Sequence, residues 1–171
     1  VKVLVTYFSQ TGNTEKIAQA IYEEALTANE ASILKLEEVT TDTITGYDVI
    51  FIGSPLQAGN LAGPVQEFLA RMQSGSGQRI ACFITHAAPA YPQQDIDNFI
   101  EPIKAVCRKN NMNYTGCFDC QGFLTEELHE FIKERQGASD EEWAEKVRQM
   151  SGHPDAKDLE MARSFAKKVL A

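Results

Sequence analysis

The sequence contains no apolar run approaching the ~20 residues that a membrane-spanning helix needs. It has no basic surplus either. Its 24 acidic side chains against 16 basic ones leave a net charge of −8. So acidic a chain is a poor partner for nucleic acid or an anionic membrane surface. The charge permits docking on a basic protein, but acidity more commonly serves solubility alone. Histidine is scarce. His86, His129 and His153 are far apart in sequence and lack partners at metal-ligand spacing, so no metal centre is read. Four cysteines, at 82, 107, 117 and 120, are too scattered for a secreted disulfide framework. Two phosphate-binding signatures are absent. There is no G-x-x-x-x-G-K-[ST], hence no lysine for a triphosphate, and no G-x-G-x-x-G for a dinucleotide. No internal repeat or low-complexity tract is present. The first residues read as a core strand without the basic flank of a signal peptide, which makes a cytoplasmic location the simplest expectation.

What is present suits one domain with a sizeable core: 171 residues, 43% of them hydrophobic. Residues 1–8 read as a first, central strand and 14–28 as a helix, with Ile17, Ile21 and Ala25 along one side. Ala31–Leu36 reads as a short strand at a sheet edge, Lys35 interrupting its apolar residues. The polar, threonine-rich stretch Val39–Tyr47 reads as a loop. Val49–Gly53 and Ile80–Thr85 are apolar enough for strands buried on both faces. Between them come a loop at 54–60, a helix opened by Gly63-Pro64, and a turn at Ser74–Gly77. A second long loop spans 86–94. The helix after it is kinked or restarted at Pro102. Tyr114–Phe118 reads as a fifth strand, weakened by Gly116. Strands alternating with helices imply a parallel sheet covered on both faces.

The stretch that carries chemistry is Ser9-Gln10-Thr11-Gly12-Asn13-Thr14, between the first strand and the first helix. A helix N-terminus offers free backbone N–H groups and partial positive charge. Ser9, Thr11 and Thr14 add three hydroxyls, and Gly12 lets the backbone come close to a ligand. An ordinary helix cap uses the same residue types, but three hydroxyls and a glycine crowded into six positions exceed what a cap requires. The loop holds no cation, so it suits a terminal phosphate monoester rather than a pyrophosphate.

Ser-x-Thr-Gly-Asn-Thr after a first strand resembles the phosphate loop of the flavodoxin family. The strand–helix order agrees from Val1 to about Cys120 and again from about Asp155 to the end. The resemblance implies an α/β fold in three layers, doubly wound around a five-stranded parallel sheet of order 2-1-3-4-5, spanning residues 1–171 as a single domain. It also implies FMN as cofactor, with the 9–14 loop on the phosphate. Pro55, Leu56, Gln57, Ala58, Gly59 and Asn60 would then lie on the inner side of the flavin ring. Thr85, His86, Ala87, Ala88 and Tyr91 would lie on the outer side, backbone N–H groups of 86–88 meeting the pyrimidine edge and Tyr91 stacking on the ring. His86 either donates to the flavin or is structural. Gly59 is either a plain turn glycine or one whose peptide flips to present its carbonyl to the flavin N5.

The chain departs from the family pattern in two places. No aromatic stands in 54–60, so Leu56 or Gln57 takes the inner side. About 121–154 is an insert read as two short helices, the second opened by the capping box Ser139–Glu142. It is open to covering the core, meeting a partner or lining the flavin, of which core cover is the simplest. Cys117-x-x-Cys120 is read as two strand thiols facing opposite sides of the sheet, not as a redox pair. The resemblance implies an electron carrier acting on a redox protein or a small acceptor. The alternative is an NAD(P)H-dependent quinone or flavin-type reductase of the same fold, and a third reading is a cofactor-free binding or regulatory module. The oligomeric state is left open.

Overall fold

The computed structural model describes residues 1–73 and 77–171. The apolar runs assemble around β1 (Lys2–Tyr7), which pairs in parallel with β2 (Glu30–Lys35) on one side and β3 (Val49–Gln57) on the other. Strand β4 (Asn60–Leu61) folds back antiparallel on β3. Strand β5 (Arg79–His86) lies parallel to β3, and β6 (Asn113–Gln121) parallel to β5. The sheet order is β2-β1-β3-β5-β6, with β4 as an extra strand off that path. Without β4, this is the expected 2-1-3-4-5 order. The strand order therefore reverses beside β1.

Side chains alternate across the sheet and create two cores. Leu4, Ile50, Ile52, Ile80, Cys82 and Ile84 face α3 (Gly63–Arg71) and α5 (Glu101–Lys109), which contribute Val65, Phe68, Leu69, Ile103 and Cys107. Val3, Val5, Phe51, Ala81 and Phe83 face α1 (Asn13–Leu26) and α8 (Ala156–Leu170), which contribute Ile17, Ile21, Ala162 and Ala166. Alanine on α8 lets the two helices lie close on one face. Helix α4 (Gln93–Phe99) ends at Ile100, and α5 restarts there with Pro102 in its first turn, where a missing N–H costs nothing. Among the described residues no helix is long and apolar enough to cross a membrane.

Three local expectations change. Val39–Tyr47 is not all loop: α2 (Thr41–Thr45) forms because Thr40 and Thr43 cap each other reciprocally and Ile44 is buried. The 54–60 stretch is a hairpin, since β3 continues to Gln57, turns at Ala58-Gly59 and returns as β4. Both turn residues have positive φ, 50° and 76°, as a two-residue hairpin requires. Strand β6 runs longer than expected: a register shift between Ile80 and Ala81 leaves Thr115 as the extra residue, Gly116 pairs with Ala81, and pairing continues to Gln121. Of the turn expected at 74–77, positions 74–76 lie outside the described residues.

The insert forms α6 (Glu126–Gln136) and α7 (Asp140–Met150), the latter capped by Ser139 and Glu142 as expected. Its core is small and aromatic: the His129 ring meets Phe123 and Trp143 edge-on, each at 5.6 Å. Helix α6 buries no residue fully and leaves Leu128 and Phe131 exposed.

Where β3 and β5 run side by side, Gly53 is paired with Phe83, and the ring lies over the glycine. A Cβ at Gly53 would stand 2.2 Å from that fully buried ring. Gly53→Ala is therefore expected to cost about 1–3 kcal/mol of stability through overpacking, read from urea unfolding midpoints. An unchanged midpoint would show that the ring can move aside.

Candidate functional site

The carboxyl ends of β1, β3 and β5 meet at the reversal of strand order, where open α/β sheets place their ligands. Helix α1 begins there. Its N-cap is Gly12, in the left-handed region at φ 89°, and no side chain caps the first turn. Helix N–H groups that a serine or aspartate would ordinarily satisfy are left for something else. A Cβ on Gly12 would meet nothing within 4 Å, so the approach is open. The Ser9 hydroxyl accepts from the Gly12 N–H at 3.1 Å, folding the loop into a cup. Thr11 is exposed on the rim. Thr14 is buried and its hydroxyl pairs with that of Thr85 at 2.8 Å. Such a pair uses one of its two hydrogens and keeps the other to donate. These donors fit a phosphate monoester.

Three hydrogen bonds tie the cup to its surroundings. Gln57 on the hairpin donates to the Gln10 side chain at 2.9 Å. Thr85, at the end of β5, pairs with Thr14. Asn13 donates through Nδ2 to the Phe123 carbonyl at 2.8 Å. The 9–14 stretch is thus tied to the 54–60 stretch and to Thr85, which leads into the 86–94 loop. On the hairpin Pro55 and Leu56 are half-buried, and Gln57, Ala58, Gly59 and Asn60 are exposed.

The 86–91 loop is braced from below. The buried His86 points Nδ1 at the Ala88 carbonyl, 2.9 Å away, and Nε2 at the Asp119 carboxylate, 3.0 Å away. A carbonyl only accepts, so Nδ1 carries the proton that meets it. Both ring nitrogens are engaged within the protein, which favours the structural reading of His86. The Ala87 carbonyl accepts from Gln121 Nε2 at 2.8 Å. Tyr91 packs edge-on against His86 at 4.8 Å and against Phe99 at 5.0 Å. The Phe99 ring in turn lies beneath the hairpin, 3.8 Å from where a Gly59 Cβ would be.

Sequence reasoning missed Phe99, Asp119 and the stretch Gln121–Phe123. Phe99 lies in the helix expected after the 86–94 loop, where nothing local marks it as facing the hairpin. Asp119 reaches His86 only through the pairing of β5 with β6, and no local spacing signals that.

The cysteines stay apart from this site. Cys117 faces the α3–α5 core and Cys120 the α1–α8 core, so they lie on opposite faces. A hydrogen bond with Cys82, then burial, pushes the Cys117 thiol up; burial does the same for Cys120. His153, Asp155 and Asp158, not grouped by the sequence reading, do converge, with potential ligand atoms within 4.8 Å of one another. Their polar atoms already serve the start of α8: Asp155 caps the Lys157 and Asp158 N–H groups, and Asp158 accepts from the Asp155 N–H and lies 2.6 Å from His153. A cavity of about 310 Å³ lies beside the cup toward β2, with Tyr7, Phe8, Ser9, Lys35 and Arg71 in its wall.

This is a doubly wound α/β protein with an uncapped helix start at its switch point. Residues 4–167 match the flavodoxin domain, and the chain belongs to the flavodoxin family. It is 31% identical over 178 aligned positions to the flavodoxin-like domain-containing protein BilS of Clostridioides difficile, covering 99% of this chain and 96% of that one. A flavodoxin of Aquifex aeolicus is 33% identical over 69 residues, 39% of this chain and 37% of its own. Among solved structures, oxidised Flavodoxin 2 from Bacillus cereus superposes with a TM-score of 0.70 at 16% identity, over 99% and 98% of the two chains.

Tyr7, just before the cup, donates its phenol hydrogen to Glu15 at 2.8 Å and so holds that carboxylate at the phenol. Burial, then the Glu15 bond, pushes the Tyr7 phenol from 10.0 up to about 12. The folded state thus keeps the proton more tightly than the unfolded one. That stabilisation is complete below about pH 10 and is lost as pH rises from about 10 to about 12. Tyr7→Phe is expected to lose less stability across that interval than wild type, measured by urea unfolding at a series of alkaline pH values. Parallel pH profiles would refute the assignment.

Proposed function

We propose that the chain binds FMN across the ends of β1, β3 and β5 and acts as an electron carrier. The observation that carries this reading is the uncapped first turn of α1, lined by the hydroxyls of Ser9, Thr11 and Thr14. In this reading Gln10, Gly12 and Asn13 complete the phosphate cup. The hairpin residues Pro55–Asn60 flank the inner side of the ring. Thr85–Ala88 and Tyr91 flank the outer side, with the N–H groups of 86–88 directed at the pyrimidine edge. When bound, the flavin supplies the redox chemistry, and the protein supplies binding, orientation and electrostatics.

His86 holds the outer loop by bonding Ala88 and Asp119 rather than by touching the cofactor. The Asp119 carboxylate, partly exposed beside His86, adds negative charge on the outer side of the site. Negative charge there disfavours adding electrons to the ring and so lowers its potential. The partner is a redox protein or a small electron acceptor, and an acidic chain suits a basic docking surface.

One observation favours a reductase as second reading. The hairpin presents Leu56, half-buried, and Gln57, exposed, with no aromatic side chain to cover the inner face. An open face leaves room for a quinone or a nicotinamide. Direct bleaching of the bound flavin by NADPH or NADH under anaerobic conditions would select the reductase, and no bleaching the carrier.

The cup is tested by titrating flavin-free protein with FMN. Wild type is expected to turn yellow and to quench flavin fluorescence. Thr11→Ala with Thr14→Ala is expected to weaken binding about tenfold or more, since each hydroxyl donates to a charged group. A colourless wild type that ignores added FMN would instead favour a cofactor-free binding module.

A further inference from the structure

At the end of β6 and the start of the insert, Gln121, Gly122 and Phe123 bond to two parts of the candidate site, the outer loop and the phosphate cup. Gln121 Nε2 donates to the Ala87 carbonyl and the Gly122 N–H to the His86 carbonyl, both at 2.8 Å. The Phe123 carbonyl accepts from Asn13, and the Phe123 N–H donates to the His153 carbonyl at 3.0 Å. Outer loop, phosphate cup and far end of the insert are therefore joined through three consecutive residues.

Gly122 is the tight point. It is buried, and its backbone lies outside the left-handed region, so glycine serves space here rather than conformation. A Cβ at Gly122 would stand 2.7 Å from Asn13 Cγ and Nδ2 and 3.0 Å from Asn13 Cβ. Asn13 is the first residue of α1, and its Nδ2 also lies 3.2 Å from the Thr11 hydroxyl. Its Cβ is fixed to the helix, so the side chain cannot yield without breaking these bonds.

We propose that Gly122 is a positioning residue for the phosphate cup, and that the insert's stem is thereby a working part of the cofactor site. The absence of a side chain at 122 lets Asn13 lie flat against the stem. Asn13 then fixes the Phe123 carbonyl on one side and the Thr11 hydroxyl on the other. Because the same stem bonds His86, Ala87 and His153, filling the cup and docking the insert are coupled in both directions. The proposal rests on the FMN reading for its ligand, but the packing itself can be tested without flavin.

The experiment compares wild type, Gly122→Ala, Asn13→Ala and the double variant by FMN fluorescence quenching. Amide hydrogen exchange is followed in the flavin-free proteins. Gly122→Ala is expected to weaken FMN about tenfold, because a methyl group forced into a packed contact displaces the cup. It is also expected to speed exchange in the first turn of α1 and at Phe123. The double variant is expected to bind no more weakly than Asn13→Ala alone, since removing the amide relieves the two closest contacts.

Should Gly122→Ala alone fail to fold, Asn13→Ala is expected to rescue it, and no rescue would overturn the proposal. It is also overturned by wild-type FMN affinity in Gly122→Ala, or by losses that simply add in the double variant. If wild type binds no FMN, the FMN reading fails separately. Exchange then decides: unchanged rates in the first turn of α1 in Gly122→Ala overturn the positioning role, and faster rates support it.

Discussion

The first-turn N–H groups of α1 have no side-chain cap, and the proposed phosphate site depends on that deficiency. Orphan donors at a helix start are ordinarily satisfied by a serine, threonine or aspartate. Here the N-cap is glycine, and the neighbouring hydroxyls form a cup instead of closing over the helix. Donors already in place cost no rearrangement when an anion arrives. The position of the cup follows from the sheet. Strand β1 is flanked by β2 and β3, so its end lies where the strand order reverses and the ends of β3 and β5 come alongside.

The cup is also held from outside. Gln10 is tied to the hairpin, Thr14 to the end of β5, and Asn13 to the stem of the insert. A second set of bonds, from His86 to Ala88 and Asp119 and from Gln121 to Ala87, turns the carbonyls of the outer loop inward. Loops tethered this way lose less freedom when a ligand binds. Helix α6 of the insert leaves Leu128 and Phe131 in solvent, and the insert's stem reaches the site.

Much of this could be read in the sequence because the signals were local. Val49–Gly53 and Ile80–Thr85 are apolar on both faces and had to be central strands. The hydroxyl-lined start of α1 was legible because three hydroxyls and a glycine follow a strand directly. The 54–60 hairpin was less legible. Gly53 and Pro55 look like the end of a strand, yet β3 pairs with β5 through Pro55 and then turns on Ala58, a residue not expected at positive φ. Threonines that read as loop proved to be reciprocal caps of α2. Asp119 and Gly122 could not have been found locally. Which face Asp119 presents depends on the register shift near Gly116, and the crowding at Gly122 comes from Asn13, more than 100 positions earlier.

The central claim is that the cup exists for a phosphate monoester. The most direct test measures the affinities of the flavin-free protein for FMN and riboflavin under identical conditions, since the two differ only in that phosphate. The account predicts that FMN binds about a hundredfold or more tightly, because charge-assisted hydrogen bonds to the phosphate are lost with riboflavin. Equal affinities would contradict it, since the uncapped turn of α1 would then contribute nothing to binding.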